Sequence, residues 1–273
     1  MSVAASPAEI FAFAAQRPIA TYEDCPLNLA AYDDVDLAEG AVIETGTGWA
    51  YALEDTWRRG RPHRMLPSAM LETMPELGRW TAMEETFDFC YTAAGLRAAC
   101  LAHRQSRRLL AEGWTVREGW PGPAEVARFV ELMEVRFAAQ LEERWRDEDR
   151  PPWARSTAWV ARTRATLEAA RPHEKVLALS LVAPEGAVCG AQIAWVERPD
   201  LVFTTFRLSD ERGRAGARLL LAAVAERLAP EARINDGPAS GNAGLLRFKR
   251  ELQPAAFQFY VRNVSARAPD LEP

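Results

Sequence analysis

Hydrophobic positions in the second half of the chain first follow the period of an α-helix. Between residues 124 and 145 they lie three to four residues apart, which places them on one helical face. These positions are Val126, Phe129, Met133, Phe137, Leu141 and Trp145. Ser156 is placed to cap a second helix that ends near Ala170. The pattern therefore predicts two consecutive helices.

The period then changes to that of β-strands. Two β-rich runs are separated by the turn Pro184-Glu185-Gly186, which predicts a hairpin. The expected elements are strands at 176–182, 188–196 and 201–208, a helix at 217–228, a strand at 232–235, a helix at 243–252 and a strand at 257–264. Helices interspersed with strands in this order predict an α/β (or α+β) fold, in which helices flank a mixed sheet.

The first half of the chain has weaker patterns. Ser6-Pro7-Ala8-Glu9 is typical of a capping box at the start of a helix. A helix is expected at 95–112, ended by Gly113 and followed by a short strand at 114–117. Short strand-like pieces lie at 41–44 and 49–53. Proline and glycine in Glu118–Pro123 break the periodicity, so we predict a domain boundary there, dividing the chain into 1–118 and 119–273.

Composition excludes several classes of protein. With 48% hydrophobic and 26% charged residues, the 273-residue chain has the composition of a globular protein. No apolar run is long enough to span a membrane, and no basic residue precedes the apolar stretch 10–15, which argues against a secretory signal. The four cysteines have neither metal-site spacing nor the density of a disulfide scaffold. We therefore expect a cytoplasmic protein without a membrane partner.

Motifs for metal binding and for common nucleotide-binding loops are missing from the sequence. The three histidines are isolated, so no metal is expected, and there is no phosphate-binding Walker motif or G-x-G-x-x-G. A net charge of −5 argues against coating nucleic acid through bulk charge, although it allows a local basic strip. Of the 33 basic residues only Lys175 and Lys249 are lysines, so each invites attention.

Two stretches carry a resemblance to the GNAT acyltransferase superfamily. Arg212-Gly213-Arg214-Ala215-Gly216-Ala217 resembles its pyrophosphate loop, in which backbone N–H groups at a helix N-terminus bind acetyl-CoA phosphates. Alanines stand at two usual glycine positions, and an arginine-rich helix start remains an alternative interpretation. By this resemblance the cofactor-binding candidates are Arg212, Arg214, Gly216 and Arg218.

The second stretch is more specific. Ile234-Asn235-Asp236-Gly237, followed by Gly244-Leu245-Leu246-Arg247-Phe248-Lys249 and Pro254, resembles the Fem-type transferases that use aminoacyl-tRNA. Similar motifs mark the catalytic domains of lysyl-phosphatidylglycerol synthases. The resemblance covers about residues 95–265 and implies a catalytic GNAT-like domain at 119–273. It also implies an acceptor-binding subdomain at 1–118, a tandem or partial second GNAT-like unit.

The resemblance also implies roles for individual residues. An amine attacks the ester carbonyl of the aminoacyl-tRNA without an enzyme nucleophile, and Lys249 is the candidate that stabilises the oxyanion. Phe248 would form a wall of the cleft, which Asn235 and Asp236 would face. Either Asp236 or the released 3′-oxygen would take the amine's proton. A solvated helix lysine and a turn aspartate remain alternative interpretations of Lys249 and Asp236.

Arginines around these motifs suit a polyanionic ligand. The candidates for binding RNA phosphates are Arg104, Arg107, Arg108 and Arg247. The expected donor is aminoacyl-tRNA, with no separate cofactor, and the acceptor is an amine of a soluble peptide or of a small molecule, such as a peptidyl-nucleoside antibiotic intermediate. An acetyl-CoA-dependent acyltransferase and a non-catalytic GNAT-like binding domain remain alternatives.

Overall fold

The computed structural model describes residues 6–15, 19, 22, 25–30, 35–37, 56–58, 61–62, 65–67, 80–144, 158–239 and 243–263. Helices are α1 (Pro7–Ala15), α2 (Pro26–Leu29), α3 (Ala93–Ala102), α4 (Arg104–Ala111), α5 (Pro123–Arg144), α6 (Ala158–Ala170), α7 (Ala217–Glu226) and α8 (Ala243–Glu251), with a 3₁₀-helix at Gly213–Gly216. Strands are β1 (Val35–Leu37), β2 (Thr56–Arg58), β3 (Arg61–Pro62), β4 (Met65–Pro67), β5 (Trp80–Thr92), β6 (Thr115–Glu118), β7 (Val176–Val182), β8 (Val188–Arg198), β9 (Leu201–Ser209), β10 (Arg233–Asn235) and β11 (Ala256–Asn263).

Eight of these strands form one mixed sheet in the order β4-β11-β5-β10-β9-β8-β7-β6. Its strands are antiparallel except that β9 and β10 run parallel. The strands β1, β2 and β3 form a separate antiparallel sheet. The predicted α/β fold, with helices flanking a mixed sheet, is confirmed.

Helices cover both faces of the large sheet, and side chains of its strands alternate between the two layers. Ile193 and Trp195 pack with α1, α2, α5 and α6, whereas Ala194 between them packs with α3, α4, α7 and α8. Strands buried on both faces need apolar residues at nearly every position, which explains the continuous apolar runs of β7, β8 and β9.

Local signals placed most element ends correctly. The capping box is present: Glu9 accepts hydrogen bonds from the backbone N and hydroxyl of Ser6, and Glu9 N donates to Ser6 Oγ. Gly113 has φ +88°, as the helix end after α4 requires. The prediction of one helix at 95–112 was wrong. His103 is extended and caps α4 by accepting from Gln105 N, which divides the segment into two helices.

The first half of the chain also contributes the long strand β5, which the sequence pattern did not indicate. β5 lies between β10 and β11, so the sheet spans the predicted boundary at residue 118. The division into two domains and the second GNAT-like unit stay predictions. The strands expected at 41–44 and 49–53 lie outside the described residues.

Candidate active site

The candidate site lies where two parallel strands separate. β9 and β10 pair only from Leu201 to Phe203 and from Arg233 to Asn235. β9 then continues beside β8, whereas the chain after β10 follows β5. There Asp236 N donates to Phe89 O at 3.0 Å, and Phe89 N donates to Gly237 O at 3.1 Å. An opening therefore forms between β9 and the Asp236–Gly237 segment.

The side chain of Asp236 reaches back across this opening. Its Oδ1 accepts hydrogen bonds from Thr204 Oγ1 at 2.5 Å and from Arg207 Nη2 at 2.8 Å, both on β9. Its Oδ2 lies 3.3 Å from Lys249 Nζ on α8. The carboxylate therefore joins the two separating strands and the helix in one buried cluster.

Lys249 is enclosed by acceptors. Its Nζ donates to the backbone oxygens of Asp236 and Gly237, the latter at 2.9 Å, in addition to its ion pair with Asp236 Oδ2. The backbone oxygen of Lys249 accepts from Tyr91 Oη at 3.0 Å, which fixes the helix against β5. The ammonium group therefore makes two hydrogen bonds to the backbone and one ion pair to the carboxylate.

Arg207 is held on three sides. Its Nε donates to Gln192 Oε1 at 2.9 Å and its Nη2 donates to Asp236, while its Cζ lies 5.6 Å from the centre of the Phe248 ring. Gln192 is itself fixed, because its Nε2 donates to Phe206 O at 3.0 Å. Arg218 lies on the same phenylalanine ring at 4.6 Å.

The charges in the cluster shift one another's titration. Burial alone would raise the pKa of Asp236, but the charges of Lys249 and Arg207 and the hydrogen bonds from Thr204 and Arg207 outweigh it and hold that pKa below its ordinary value. Burial lowers the pKa of Lys249, and the Asp236 carboxylate offsets this only in part. The Asp236 carboxylate is therefore ionised at neutral pH and is a weak proton acceptor.

Asn235 ties the site to the centre of the sheet. Its Nδ2 donates to Asp88 Oδ2 on β5 at 2.8 Å, and its Oδ1 accepts from Gly237 N at 2.8 Å. Both residues are fully buried. Asn235 therefore orients the turn whose backbone oxygens receive the lysine.

Gly237 is the one position of this turn that requires glycine. Its φ is +65°, and a Cβ added there would lie 2.5 Å from the ring of Tyr22. The ring from the N-terminal segment therefore lies directly against the turn.

The structure brings together the four catalytic candidates. Lys249 and Asp236 are in contact, Asn235 holds the turn between them, and Phe248 packs under the guanidinium groups of Arg207 and Arg218. The roles proposed for these residues stay predictions.

The cofactor-binding candidates occupy different surroundings. Arg218 is buried beside Phe248 and pairs with Glu251 at 2.6 Å. Arg212 and Arg214 are exposed and form ion pairs with Glu185 and Glu211. Gly216 packs against β7, because a Cβ there would lie 2.2 Å from Leu181 Cδ2.

The neighbouring Gly213 packs equally closely on the sheet. A Cβ there would lie 1.9 Å from the backbone oxygen of Cys189, and Gly213 N donates to Asp210 Oδ1 at 2.8 Å. The two glycines thus let the 3₁₀-helix approach the sheet, and a phosphate site in the loop stays a prediction.

The arginines expected to bind RNA are exposed. Arg104, Arg107 and Arg108 lie on α4, which packs against the 3₁₀-helix, and Arg108 pairs with Glu112 at 3.4 Å. Arg247 is exposed on α8, two residues before the buried lysine. The contacts of these four arginines do not test their predicted role in binding RNA, which stays a prediction.

Several residues of the cluster were not among the catalytic candidates. Thr204, Gln192, Asp88 and Arg207 belong to none of the motifs. A buried Gln and Thr within otherwise apolar strands are a signal that could have been followed, since buried polar groups need partners. Nothing in the sequence marks Asp88 or Tyr22.

The described residues give less support to a cysteine nucleophile, a metal site or a membrane-spanning helix. Burial raises the pKa of all four cysteines, to about 12 for Cys25 and for Cys100, so their thiols are protonated and poor nucleophiles. The described side chains contain no group of three or more metal-binding residues. Among the helices described, none is long and apolar enough to span a membrane.

Comparison with known proteins gives structural likeness without sequence likeness. No protein-family model and no curated protein matches the sequence. L-PGS from Bacillus licheniformis has a TM-score of 0.50 at 11% identity, covering 98% of this chain and 96% of that one. A conserved protein of unknown function from Bacteroides thetaiotaomicron has a TM-score of 0.48 at 14% identity, covering 71% of this chain and 64% of that one.

A tandem GNAT protein from the clavulanic acid biosynthesis pathway is a more distant neighbour, with a TM-score of 0.36 at 13% identity and 93% of each chain covered. The fold comparison therefore rests on L-PGS, and at 11% identity it concerns the fold alone. Together with the order of helices and strands around the β9–β10 opening, it shows that the chain shares the mixed-sheet fold of L-PGS.

Proposed function

We propose that this protein is an aminoacyltransferase, which moves an amino acid from aminoacyl-tRNA to an amine of a peptide or small-molecule acceptor. The observation that carries the proposal is the buried cluster of Lys249, Asp236 and Arg207 at the opening between β9 and β10. Buried charges at a strand opening are costly, and they concentrate at functional sites. The Fem-type motif supplies Asn235, Asp236, Phe248 and Lys249 at this same place.

The reaction needs positioning and charge rather than a protein nucleophile. The acceptor nitrogen attacks the ester carbonyl, a C–N bond forms, and negative charge gathers on the carbonyl oxygen. The bond to the 3′-oxygen of the tRNA ribose then breaks. Lys249 and Arg207 place positive charge beside the opening in a water-poor site, where it stabilises such an oxyanion most strongly.

The remaining cluster residues hold this charge in place. Asp236 orients Arg207 and Lys249, and Phe248 provides the flat wall on which the arginine lies. Because the pKa of Asp236 is lowered, we assign the amine's proton to the departing 3′-oxygen rather than to this carboxylate.

The acceptor we propose is soluble, for example a peptidyl-nucleoside antibiotic intermediate. L-PGS from Bacillus licheniformis has the same fold over nearly the whole chain, which makes transfer of an aminoacyl group the first activity to test. Fold likeness does not identify an acceptor, so the amine must come from a screen.

A transfer assay tests the proposal. The full chain is incubated with radiolabelled aminoacyl-tRNAs and a panel of peptides and amine-bearing metabolites, and in parallel with labelled acetyl-CoA. We expect acceptor-dependent transfer from tRNA, lowered at least about a hundredfold by Lys249→Ala. Label that moves only from acetyl-CoA would contradict the proposal.

The acetyl-CoA arm tests the second candidate function, acyl transfer from acyl-CoA. The observation in its favour is the 3₁₀-helix at Gly213–Gly216, which directly precedes α7 and follows β9. The N-terminus of a helix favours phosphate, and three arginines surround this one: Arg212, Arg214 and Arg218. If this function is the right one, Gly216→Val should abolish transfer from acetyl-CoA.

A further inference from the structure

We propose that Arg207, rather than Lys249, donates the hydrogen bond to the oxygen of the reacting acyl group, and that Lys249 is a positioning residue. This inference rests on the proposed acyl transfer at the β9–β10 opening and assigns its oxyanion donor. It reverses the role that the sequence motif gives to the lysine.

The first argument is the number of donors still available. Two N–H groups of Lys249 donate to Asp236 O and Gly237 O, and its charge is paired with Asp236 Oδ2 at 3.3 Å. A bond from this ammonium to substrate would have to draw it away from that ion pair in a buried site. Weakening a buried ion pair is expensive, since it leaves a buried charge less compensated.

Arg207 has donors left over. A guanidinium carries five N–H groups, and the structure uses Nε for Gln192 and Nη2 for Asp236. Nη1 of Arg207 has no acceptor within the part of the chain that the structure describes. The Arg207 side chain is also 19% exposed, compared with 4% for Lys249, so substrate can reach it more easily.

The second argument is that Arg207 is already oriented. Gln192 and Asp236 fix two of its nitrogens, and the centre of the Phe248 ring lies 5.6 Å from its Cζ. A donor that needs no rearrangement is worth most in the transition state. Nη1, which has no acceptor among the described residues, is thus the most suitable donor of the cluster for negative charge that develops in the opening.

The guanidinium of Arg207 stays protonated throughout the acyl transfer, so it exchanges no proton with the substrate. The acceptor nitrogen forms its bond to the carbonyl carbon, and the carbonyl oxygen becomes negative and accepts from Arg207. When the carbonyl re-forms, the ester C–O bond breaks, and the nitrogen's proton goes to the departing oxygen. Arg207 gives up no proton, and Lys249 holds the Asp236–Gly237 turn that aligns it.

The test compares Arg207→Ala, Arg207→Lys and Lys249→Met in the full chain. Arg128→Lys is the matched control, because Arg128 also lies over a phenylalanine ring, at 5.2 Å from Phe129, and also pairs with an aspartate, Asp210 at 3.0 Å. The readouts are kcat and KM for transfer, the unfolding temperature, rescue by methylguanidinium, and titration with methylphosphonate, a small tetrahedral oxyanion.

We expect Arg207→Ala to lower kcat about 10²–10³-fold with KM changed less than about threefold, which is the effect of losing one oxyanion donor. Methylguanidinium should restore at least about tenfold of that loss, because it can occupy the vacated site between Gln192 and Asp236. Lys249→Met should lower the unfolding temperature and should not respond to methylguanidinium. Arg128→Lys should leave kcat within about twofold of the parent.

Two results would overturn the inference: a kcat for Arg207→Ala within about threefold of the parent chain, or a large loss that methylguanidinium does not restore. If the parent chain shows no transfer, the proposed function fails, and the titration then decides the inference alone. Methylphosphonate binding that Arg207→Ala removes and Arg128→Lys retains supports an oxyanion site at Arg207. Equal binding by all variants, or none by the parent, refutes it.

Discussion

The two lysines of this chain form two ion pairs that look alike and differ in their surroundings. Lys249 pairs with Asp236 at 3.3 Å, and Lys175 pairs with Glu197 at 3.2 Å. Both carboxylates are almost completely buried. Lys249 is 4% exposed, however, whereas Lys175 is 27% exposed and lies beside the Trp195 ring.

The backbone around the two pairs differs more than the pairs themselves. Glu197 lies on β8, which is paired with β7 on one side and with β9 on the other, and its second oxygen accepts from Trp195 Nε1 at 2.8 Å. Asp236 lies where two strands separate and binds a second cation, Arg207. A buried ion pair therefore does not by itself distinguish the candidate site; the second cation and the opening in the sheet distinguish Asp236 from Glu197.

The largest expected effect on stability is the difference between removing the charge of Asp236 and removing that of Glu197. Asp236→Asn keeps the shape but leaves Lys249 and Arg207 without a counter-charge, so we expect a loss of about 3–5 kcal/mol in the free energy of unfolding. Glu197→Gln should cost about 1–3 kcal/mol, because Lys175 can turn to solvent. Urea denaturation measures both.

The exposed pair of Asp200 with Arg198 gives the control, since Asp200→Asn should cost less than about 1 kcal/mol. Equal losses for Asp236→Asn and Glu197→Gln would show that the opening and the second cation do not matter.

The next effect concerns activity. In the transfer assay Lys249→Met should lower the rate about a hundredfold, because the turn that aligns Arg207 loses its support, and Lys175→Met should leave the rate within about threefold. The reason is that Lys175 lies in the turn before β7 and pairs with Glu197, whereas Lys249 contacts Asp236 at the opening. A comparable loss in both variants would mean that lysine charge acts through stability or at long range.

A smaller effect on stability is expected at Gly237. This glycine lies in the turn that receives Lys249, and the Lys175–Glu197 pair has no such turn. Gly237→Ala places a methyl group against Tyr22 at φ +65°, so we expect a loss of about 1–3 kcal/mol. Adding Tyr22→Ala should recover the steric part but not the backbone strain. A double-mutant cycle of unfolding free energies separates the two, and purely additive losses would exclude contact between the ring and the turn.

The smallest expected effect is the dependence of the unfolding free energy on acid pH. The folded-state pKa of Asp236 lies below its unfolded value of about 3.9, so its contribution to stability is complete above that pH and is lost as the pH falls through the folded pKa. The unfolding free energy of the parent chain should therefore fall below about pH 4 with a slope steeper by up to one proton than that of Asp236→Asn. Parallel slopes would show that the pKa of Asp236 is unchanged by folding.

The part of the fold that sequence predicted is the part governed by local pattern. From β6 to β11 the predicted ends agree with the structure to within a few residues, because period, caps and turns act over short distances. The strand β5 has few such signals. Its partners β10 and β11 lie far along the chain, and no local pattern reveals that pairing.

The sequence predicted the motif residues of the candidate site but not the contacts that these residues make. Asn235, Asp236, Phe248 and Lys249 stand in a recognisable motif, but a motif does not show how many donors of Lys249 are already used. That information depends on the backbone oxygens of the turn, which only the fold places. Arg207 gains its importance from β10 lying beside β9, which the sequence of β9 alone cannot show.

The position of β5 has a consequence for synthesis of the protein. This strand leaves the ribosome long before β10 and β11, yet it lies between them and carries Asp88, Phe89 and Tyr91 of the site. Until those two strands emerge, β5 has an unpaired edge on each side, a state that favours aggregation and slow, non-local folding. The charged cluster therefore assembles only after the last strands of the sheet have been synthesised.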